Sequence, residues 1–370
     1  MKRAHAALLR AARRLCQRLT GALPGMAMSL GSALLLGLTA CAPARTDGVT
    51  ELVYATPYSP SHPFSRADQR WMKYVEEASG GTLRIRPRWS GALLSSEHSM
   101  EELRHGVADI GLITPIYVKG GAHLIRIQSG FYSGAASIES QVALYHCMAA
   151  GNAEFARELK GLKVLAVQGG SLPGIVTRDR PVRTLDDLRG MRIRVPTELL
   201  NVMRDLGADP VNMPMGEVYS ALAKGVIDGL VAPTDTFRAL HLSEVAHYYT
   251  RMRVWRGAYP ARAMGIKRWN SLTDAQRAVL DAAVPVWEQA LAEENRRALD
   301  EGWKLAEKTG VKASELPAAE QQRFDALYLR EAERNAESLR RYGIDGMQAF
   351  RISRASVAAD GTVTCRETVE

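Results

Sequence analysis

Thr184-Leu185-Asp186-Asp187-Leu188-Arg189-Gly190-Met191-Arg192-Ile193-Arg194-Val195-Pro196 is the stretch that decides the fold. Its first five residues read as a helix-like turn. Met191, Ile193 and Val195 then alternate with Arg192 and Arg194, the period-2 pattern of a strand with one face covered. Pro196 cannot donate to a ladder and stops the strand. A helix, Gly207 and the extended run Pro210-Val211-Asn212-Met213 follow, then a helix around Glu217 to Lys224 and the strand Gly229-Leu230-Val231. On the N-terminal side this set begins at Lys163-Val164-Leu165-Ala166-Val167. Strand and helix alternate throughout, which selects an α/β fold with mostly parallel strands.

A similar set lies further upstream. Glu51-Leu52-Val53-Tyr54-Ala55-Thr56 reads as a buried strand ending in a loop with Pro57, Pro60 and Pro63. A helix carrying Trp71, Met72 and Val75 on one face runs to Gly80-Gly81. Leu83 and Ile85 alternate with Arg84 and Arg86, a second strand. A helix from about Glu97 to His105 gives way at Gly106 to the strand Asp109–Thr114. Two such units joined by several crossings predict two lobes around a cleft. Downstream, Ser271 to Lys308 has the pattern of a long helix, opened by a Thr273–Gln276 capping box and kinked at Pro285. Leu280, Val284, Trp287 and Leu291 share its apolar face. A second helix covers Ala318 to Tyr342, and residues 351–370 read as a mobile tail.

Composition limits the function. The chain has 370 residues, 46% of them hydrophobic, enough to bury a core in each of two lobes. Its net charge of +8 suggests a polyanion partner only until it is mapped. Six of the 48 cations (Lys2, Arg3, Arg10, Arg13, Arg14 and Arg18) fall in residues 1–40, which hold no carboxylate, leaving 42 against 40 acids. Nucleic acid is therefore not an expected partner.

That leader has a cationic stretch, the apolar run Ser29–Leu38 and small residues at Thr39-Ala40, the layout of a secretory signal over 1–40. Leu38-Thr39-Ala40-Cys41 matches the bacterial lipobox, in which cleavage leaves the cysteine to carry lipid. The expectation is a lipid anchor at Cys41, a tether over 41–50, and a protein held on the periplasmic side of an envelope membrane. The alternative is an ordinary export signal with an incidental cysteine. With Cys16 in the leader and Cys41 at the anchor, Cys147 and Cys365 remain. An oxidising compartment permits them to pair; the other reading is a buried Cys147 and a loose Cys365. Catalytic signatures are missing from the sequence: no Gly-x-Ser-x-Gly, no phosphate-cradling glycine loop, no His-Glu-x-x-His, no Cys-x-x-Cys. The eight histidines are scattered. Neither an enzyme, nor a metal, nor a cofactor is expected.

From Glu51 to Phe350 the residues resemble the solute-binding proteins of tripartite ATP-independent periplasmic (TRAP) transporters. The opening stretch carries most of the likeness, with Gly207-Ala208, Met213-Pro214-Met215-Gly216-Glu217-Val218-Tyr219-Ser220-Ala221-Leu222 and Gly225-Val226-Ile227-Asp228-Gly229 behind it. Ser90-Gly91-Ala92-Leu93-Leu94, Leu103–Ile110 and Trp269-Asn270-Ser271-Leu272-Thr273 add to it. The resemblance implies a two-lobed, periplasmic-binding-protein-like α/β fold spanned by a long helix. Lobe I would take 51–172 plus 258–297, and lobe II 173–257 plus 298–350. A small carboxylate would bind in the cleft and be delivered to small and large TRAP membrane subunits. A ligand-sensing subunit for a membrane kinase is the alternative function, and an exported hydrolase a distant third.

The resemblance assigns the carboxylate to Arg194, whose planar fork matches it in two parallel hydrogen bonds. The alternative is a structural ion pair. Met215 stands where relatives place an apolar wall, while Glu217 and Tyr219 are read as fixing their helix. Tyr58 and Thr114 end first-lobe strands at the edge where α/β sheets bind ligands. Tyr132 and Trp255 are aromatic walls or plain packing. Two departures count. Relatives carry a second basic residue where this chain reads Ser171-Leu172-Pro173-Gly174-Ile175-Val176-Thr177, and often an Asn at the position of Ala232. Thr234 or Asp235 would supply polar contacts instead, and a monocarboxylate with an apolar or aromatic body is favoured.

Overall fold

Each of the two sheets of the computed structural model is a set of parallel strands into which one antiparallel strand is inserted. The structure describes residues 48–118 and 120–366. The signal sequence, Cys41 and most of the expected tether therefore lie outside the described residues. The first sheet joins β1 (Thr50–Ala55), β2 (Leu83–Arg88), β3 (Ile110–Leu112), β4 (Leu162–Gln168) and β10 (Tyr259–Gly265) in the order β2-β1-β3-β10-β4. The second joins β5 (Gly174–Thr177), β6 (Arg192–Arg194), β7 (Asp209–Val211), β8 (Gly229–Ala232), β9 (Tyr248–Arg251) and β11 (Lys312–Glu315) in the order β11-β9-β5-β8-β6-β7.

The sheets are mixed, where the sequence pattern predicts mostly parallel strands. β10 runs antiparallel to β3 and β4, and β5 antiparallel to β8 and β9. These are the strands that follow the first two of three crossings, β4 to β5 and β9 to β10; β11, reached by the third crossing from β10, pairs parallel with β9. The path between the sheets decides whether a crossing chain enters along or against its neighbours, and no residue pattern inside a strand encodes that.

Helix α1 (Pro63–Ala78) buries Trp71, Met72 and Val75 as its pattern requires. Trp71 stacks on Trp287 at 3.7 Å between ring centroids. Under this stack Asp68 gathers three donors: Tyr54 Oη at 2.5 Å, Arg262 Nε at 2.9 Å and Trp287 Nε1 at 2.9 Å. Both members of the Asp68–Arg262 pair are fully buried. Such a pair adds little net stability, but losing one partner strands a charge and costs about 3–5 kcal/mol. It therefore fixes how β1, α1 and β10 meet the long helix.

That long helix is two helices. A capping box between Thr273 and Gln276 opens the first, Asp274–Ala282. After Ala283 a 25-residue helix runs from Val284 to Lys308 with Pro285 in its first turn. Proline there lacks only an N–H that would have no partner anyway, so it starts a helix rather than kinking one. Leu280, Trp287 and Leu291 are buried, whereas Val284 at the junction is half-buried. At 1.5 Å per residue the second helix is about 37 Å long. It packs on α1 beside the first sheet and on the helical turn Thr236–Ala239 beside the second. Gly302 makes the latter contact possible, since a Cβ there would lie 2.2 Å from the Thr234 carbonyl oxygen.

The expected mobile tail is a folded segment through Arg366. After the helix Ala318–Ser338, Asp345 caps a further helix, Gly346–Ala355, through the Gln348 N–H. Phe350 and Ile352 of this helix are buried. Val357 and Val363 form an antiparallel bridge, and Cys365 is disulfide-bonded to Cys147 on the helix Ile138–Gly151, with Cα atoms 5.2 Å apart. The pairing left open by the sequence is thus formed. Small polar residues concealed the segment because its order comes from a covalent tie and a few long-range contacts.

Candidate functional site

Between the sheets lies a cavity of about 130 Å³. Tyr58, Thr114, Tyr117 and Gln168 wall it from the side of the first sheet, and Arg194, Met215, Val231 and Asp235 from the side of the second.

Arg194 closes β6, and the residue is only 4% exposed. Its strand is fastened at this end by the Val195 N–H to Val211 O, at 2.9 Å, and by Asn212 Nδ2 to Val195 O, at 3.0 Å. The guanidinium donates through Nε to Met213 O at 3.0 Å and through Nη2 to Tyr117 Oη at 2.8 Å. Tyr117 comes from the first-sheet side, so this hydrogen bond crosses the cleft. Arg194 forms no ion pair with a described carboxylate, and its Nη1 has no hydrogen-bond partner among the described residues. The fork is held from behind and left open in front, as a carboxylate receptor requires.

Of the other sequence candidates, Tyr58, Thr114 and Met215 line the cavity with Arg194. Tyr58 stacks on His62 at 4.0 Å and meets Phe64 edge-on at 5.5 Å. Burial, aided by Arg262 and Arg66, pushes the His62 imidazole down to about 3, so this aromatic wall carries no charge at neutral pH. Thr114 contributes its surface, but its hydroxyl is already given to Ser96 O at 2.9 Å. Glu217 is exposed, and Tyr219 donates to Glu244 at 2.8 Å, both away from the cavity.

Three candidates fall outside the wall. Tyr132 sits at φ +54°, which turns its ring behind Tyr328, 4.9 Å away and edge-on; it is Tyr328 that reaches the cavity. Thr234 Oγ1 donates to Leu299 O at 3.2 Å and so faces the long helix. Trp255 lies in an extended run where Val254 and Arg256 face the cavity, so its own ring packs against the outer core.

Sequence reasoning missed Tyr117, Tyr259, Glu198 and Arg256. The Arg256 guanidinium lies flat over Gly170, where an added Cβ would be 2.8 Å from Nη1 and 2.9 Å from Cζ. It has no hydrogen bond or ion pair among the described residues. Gly170 is itself pinned by Gln141, which accepts from its N–H at 2.9 Å and donates to its carbonyl at 3.0 Å. A cation therefore does stand beside the 171–177 stretch, brought there by a distant part of the chain. Two buried carboxyls share the cavity with it. Burial raises Glu198, offset in part by Arg256, Arg194 and Ser129. Burial lifts Asp235 to about 7 against the pull of Arg256.

Two α/β lobes closing a small, partly aromatic cavity over an open arginine fork define a receptor for a small anion. Residues 54–335 match the bacterial extracellular solute-binding proteins, family 7, and the chain belongs to that family, the receptors of TRAP transporters. A solute-binding protein of Chromohalobacter salexigens is 27% identical over 271 residues, covering 68% of this chain and 77% of that protein. The crystal structure of a TRAP solute-binding protein from Rhodoferax ferrireducens, with copurified benzoate, superposes with a TM-score of 0.74 at 22% identity, covering 83% of this chain and 97% of that one. A TRAP periplasmic solute-binding protein from Bordetella bronchiseptica, with bound (R)- and (S)-mandelate, gives 0.74 at 19% identity over 83% and 98% of the two chains. The receptor fold and function implied by the sequence resemblance stand.

Proposed function

We propose that this receptor captures a small monocarboxylate with an apolar or aromatic body and delivers it to a TRAP permease, working from a lipid anchor at Cys41. The observation that carries the reading is the buried Arg194 guanidinium, held by Met213 and Tyr117 with Nη1 open. Size supports the ligand class, because a cavity of roughly 150 Å³ accommodates benzene and this one is about 130 Å³. The wall supports it too: Tyr58, Phe64 and Tyr259 offer ring faces and edges. Benzoate and mandelate in the two structures above are acids of this kind. Lobes divided as 51–172 plus 258–297 and 173–257 plus 298–350 fit the way the strands of each sheet fall. The lipobox Leu38-Thr39-Ala40-Cys41 supports the anchor. The relatives are transport receptors, which favours delivery over signalling to a kinase.

Native mass spectrometry of protein purified without added ligand tests the reading. A retained acid of one ring or comparable size, displaced by Arg194→Ala, is the expected result. Calorimetry finding no affinity for any monocarboxylate, with sugars or cations bound instead, refutes it.

A further inference from the structure

Besides Arg194, the cavity wall carries a second polar group: Arg256 and the two buried carboxyls, Asp235 and Glu198, on both of which Arg256 acts electrostatically. Asp235 is 8% exposed and Glu198 6%. Asp235 Oδ1 and Glu198 Oε2 are both buried without a hydrogen-bond partner. Ser129 Oγ, whose nearness offsets the upward shift of Glu198 in part, is likewise buried without a partner. Asp235 precedes the turn Thr236–Ala239, yet its side chain does not cap it. Nor does Arg256 absorb either carboxyl: it influences both electrostatically but pairs with neither within ion-pair distance.

Buried acceptors of this kind are costly unless something donates to them. The donor's chemistry is narrowed by its neighbours. An ammonium group would stand next to Arg256 in a low-dielectric site, where like charges repel strongly. A second carboxylate could meet Arg256, but it would face Asp235 and Glu198 as well. A neutral hydroxyl meets neither objection, because it donates to a carboxyl oxygen and accepts from the guanidinium.

We propose that this polar group reads a hydroxyl on the ligand, with Asp235 accepting from it and Arg256 donating to it, so that the preferred solute is a hydroxy acid. This rests on the carboxylate-binding role of Arg194. Asp235 and Arg256 are then specificity-determining residues, since a site built to bond a ligand hydroxyl discriminates strongly against the analogue lacking it.

The test is isothermal titration calorimetry with matched acids differing by one hydroxyl: phenylacetate against mandelate, benzoate against 3-hydroxybenzoate, and propionate against lactate. In the native protein the hydroxy member of at least one pair is expected to bind about tenfold tighter or more, the worth of one hydrogen bond to a charged group. In Asp235→Ala the advantage is expected to fall to within about threefold. Asp235→Asn keeps the shape and one acceptor oxygen, so it serves if the alanine variant fails to fold; part of the advantage is expected to remain there. Equal or tighter binding of the deoxy acids by native protein overturns the proposal. So does an advantage that survives undiminished in Asp235→Ala. If folded native protein binds no acid of either type, the carboxylate reading fails and this one falls with it.

Discussion

Replacing Arg194 by alanine tests the site at its centre, and the structure sets the size of the effect. Arg194 is 4% exposed, and no described carboxylate pairs with it, so the ligand must supply the anion. Removing it leaves the ligand carboxylate to be desolvated without the cation that pairs with it, a loss of about 3–5 kcal/mol. At 1.4 kcal/mol per decade this is a fall in affinity of at least about 100-fold. The variant also loses the bonds to Met213 O and Tyr117 Oη, each worth about 1 kcal/mol of stability. Two milder changes grade the response. Arg194→Lys keeps the charge but not the fork, and about tenfold weaker binding is expected. Tyr117→Phe frees one side of the fork and is expected to cost about fivefold. Calorimetry with the acid recovered from the native protein is the assay, with circular dichroism confirming the fold. An alanine variant that folds and binds within about threefold of native refutes the reasoning.

Asp235 titrates near 7 in the folded chain because burial disfavours its charge, against about 3.9 when unfolded. The folded state therefore holds the extra proton between those values, and the associated stability, up to about 4 kcal/mol, is present below pH 4 and lost as the pH rises to 7; ligand-free Asp235→Asn should show a flatter melting profile across that range. Reducing the Cys147–Cys365 bond, which closes a separation of 218 residues, should lower stability by about 2–4 kcal/mol, and a Cys365→Ser variant that melts at the native temperature under oxidising conditions would contradict it. Gly302→Ala should destabilise despite a gain of about 1 kcal/mol in helix propensity, because its Cβ meets the Thr234 carbonyl at 2.2 Å; a raised melting temperature would contradict this. Gly170→Ala should instead leave folding nearly unchanged and weaken ligand binding, since the three atoms nearest its Cβ all belong to the movable guanidinium of Arg256.

What the sequence made legible is mostly local. The Thr273–Gln276 capping box is present, β6 ends at Arg194 before Pro196, and the Trp71 face of α1 is buried. Each depends on spacings within a few residues. The failures involve direction or distance. Trp255 and Arg256 differ by one position in an extended run, where neighbours point to opposite sides, and it is Arg256 that lines the cavity. Thr234 and Asp235 differ likewise by one position, and only the path of the long helix decides which of them turns inward. Tyr132 was lost to a positive φ in a non-glycine residue, which no pattern announces. Arg256 reaches Gly170 across a gap in sequence that periodicity cannot bridge, and the antiparallel sense of β5 and β10 depends on how the chain crosses between sheets.

The 25-residue helix Val284–Lys308, which touches α1 on one side and the Thr236–Ala239 turn on the other, works mechanically as an axle. Two bodies mounted on a common shaft have few ways to swing, and at Gly302 the bearing is backbone against helix with no side chain between.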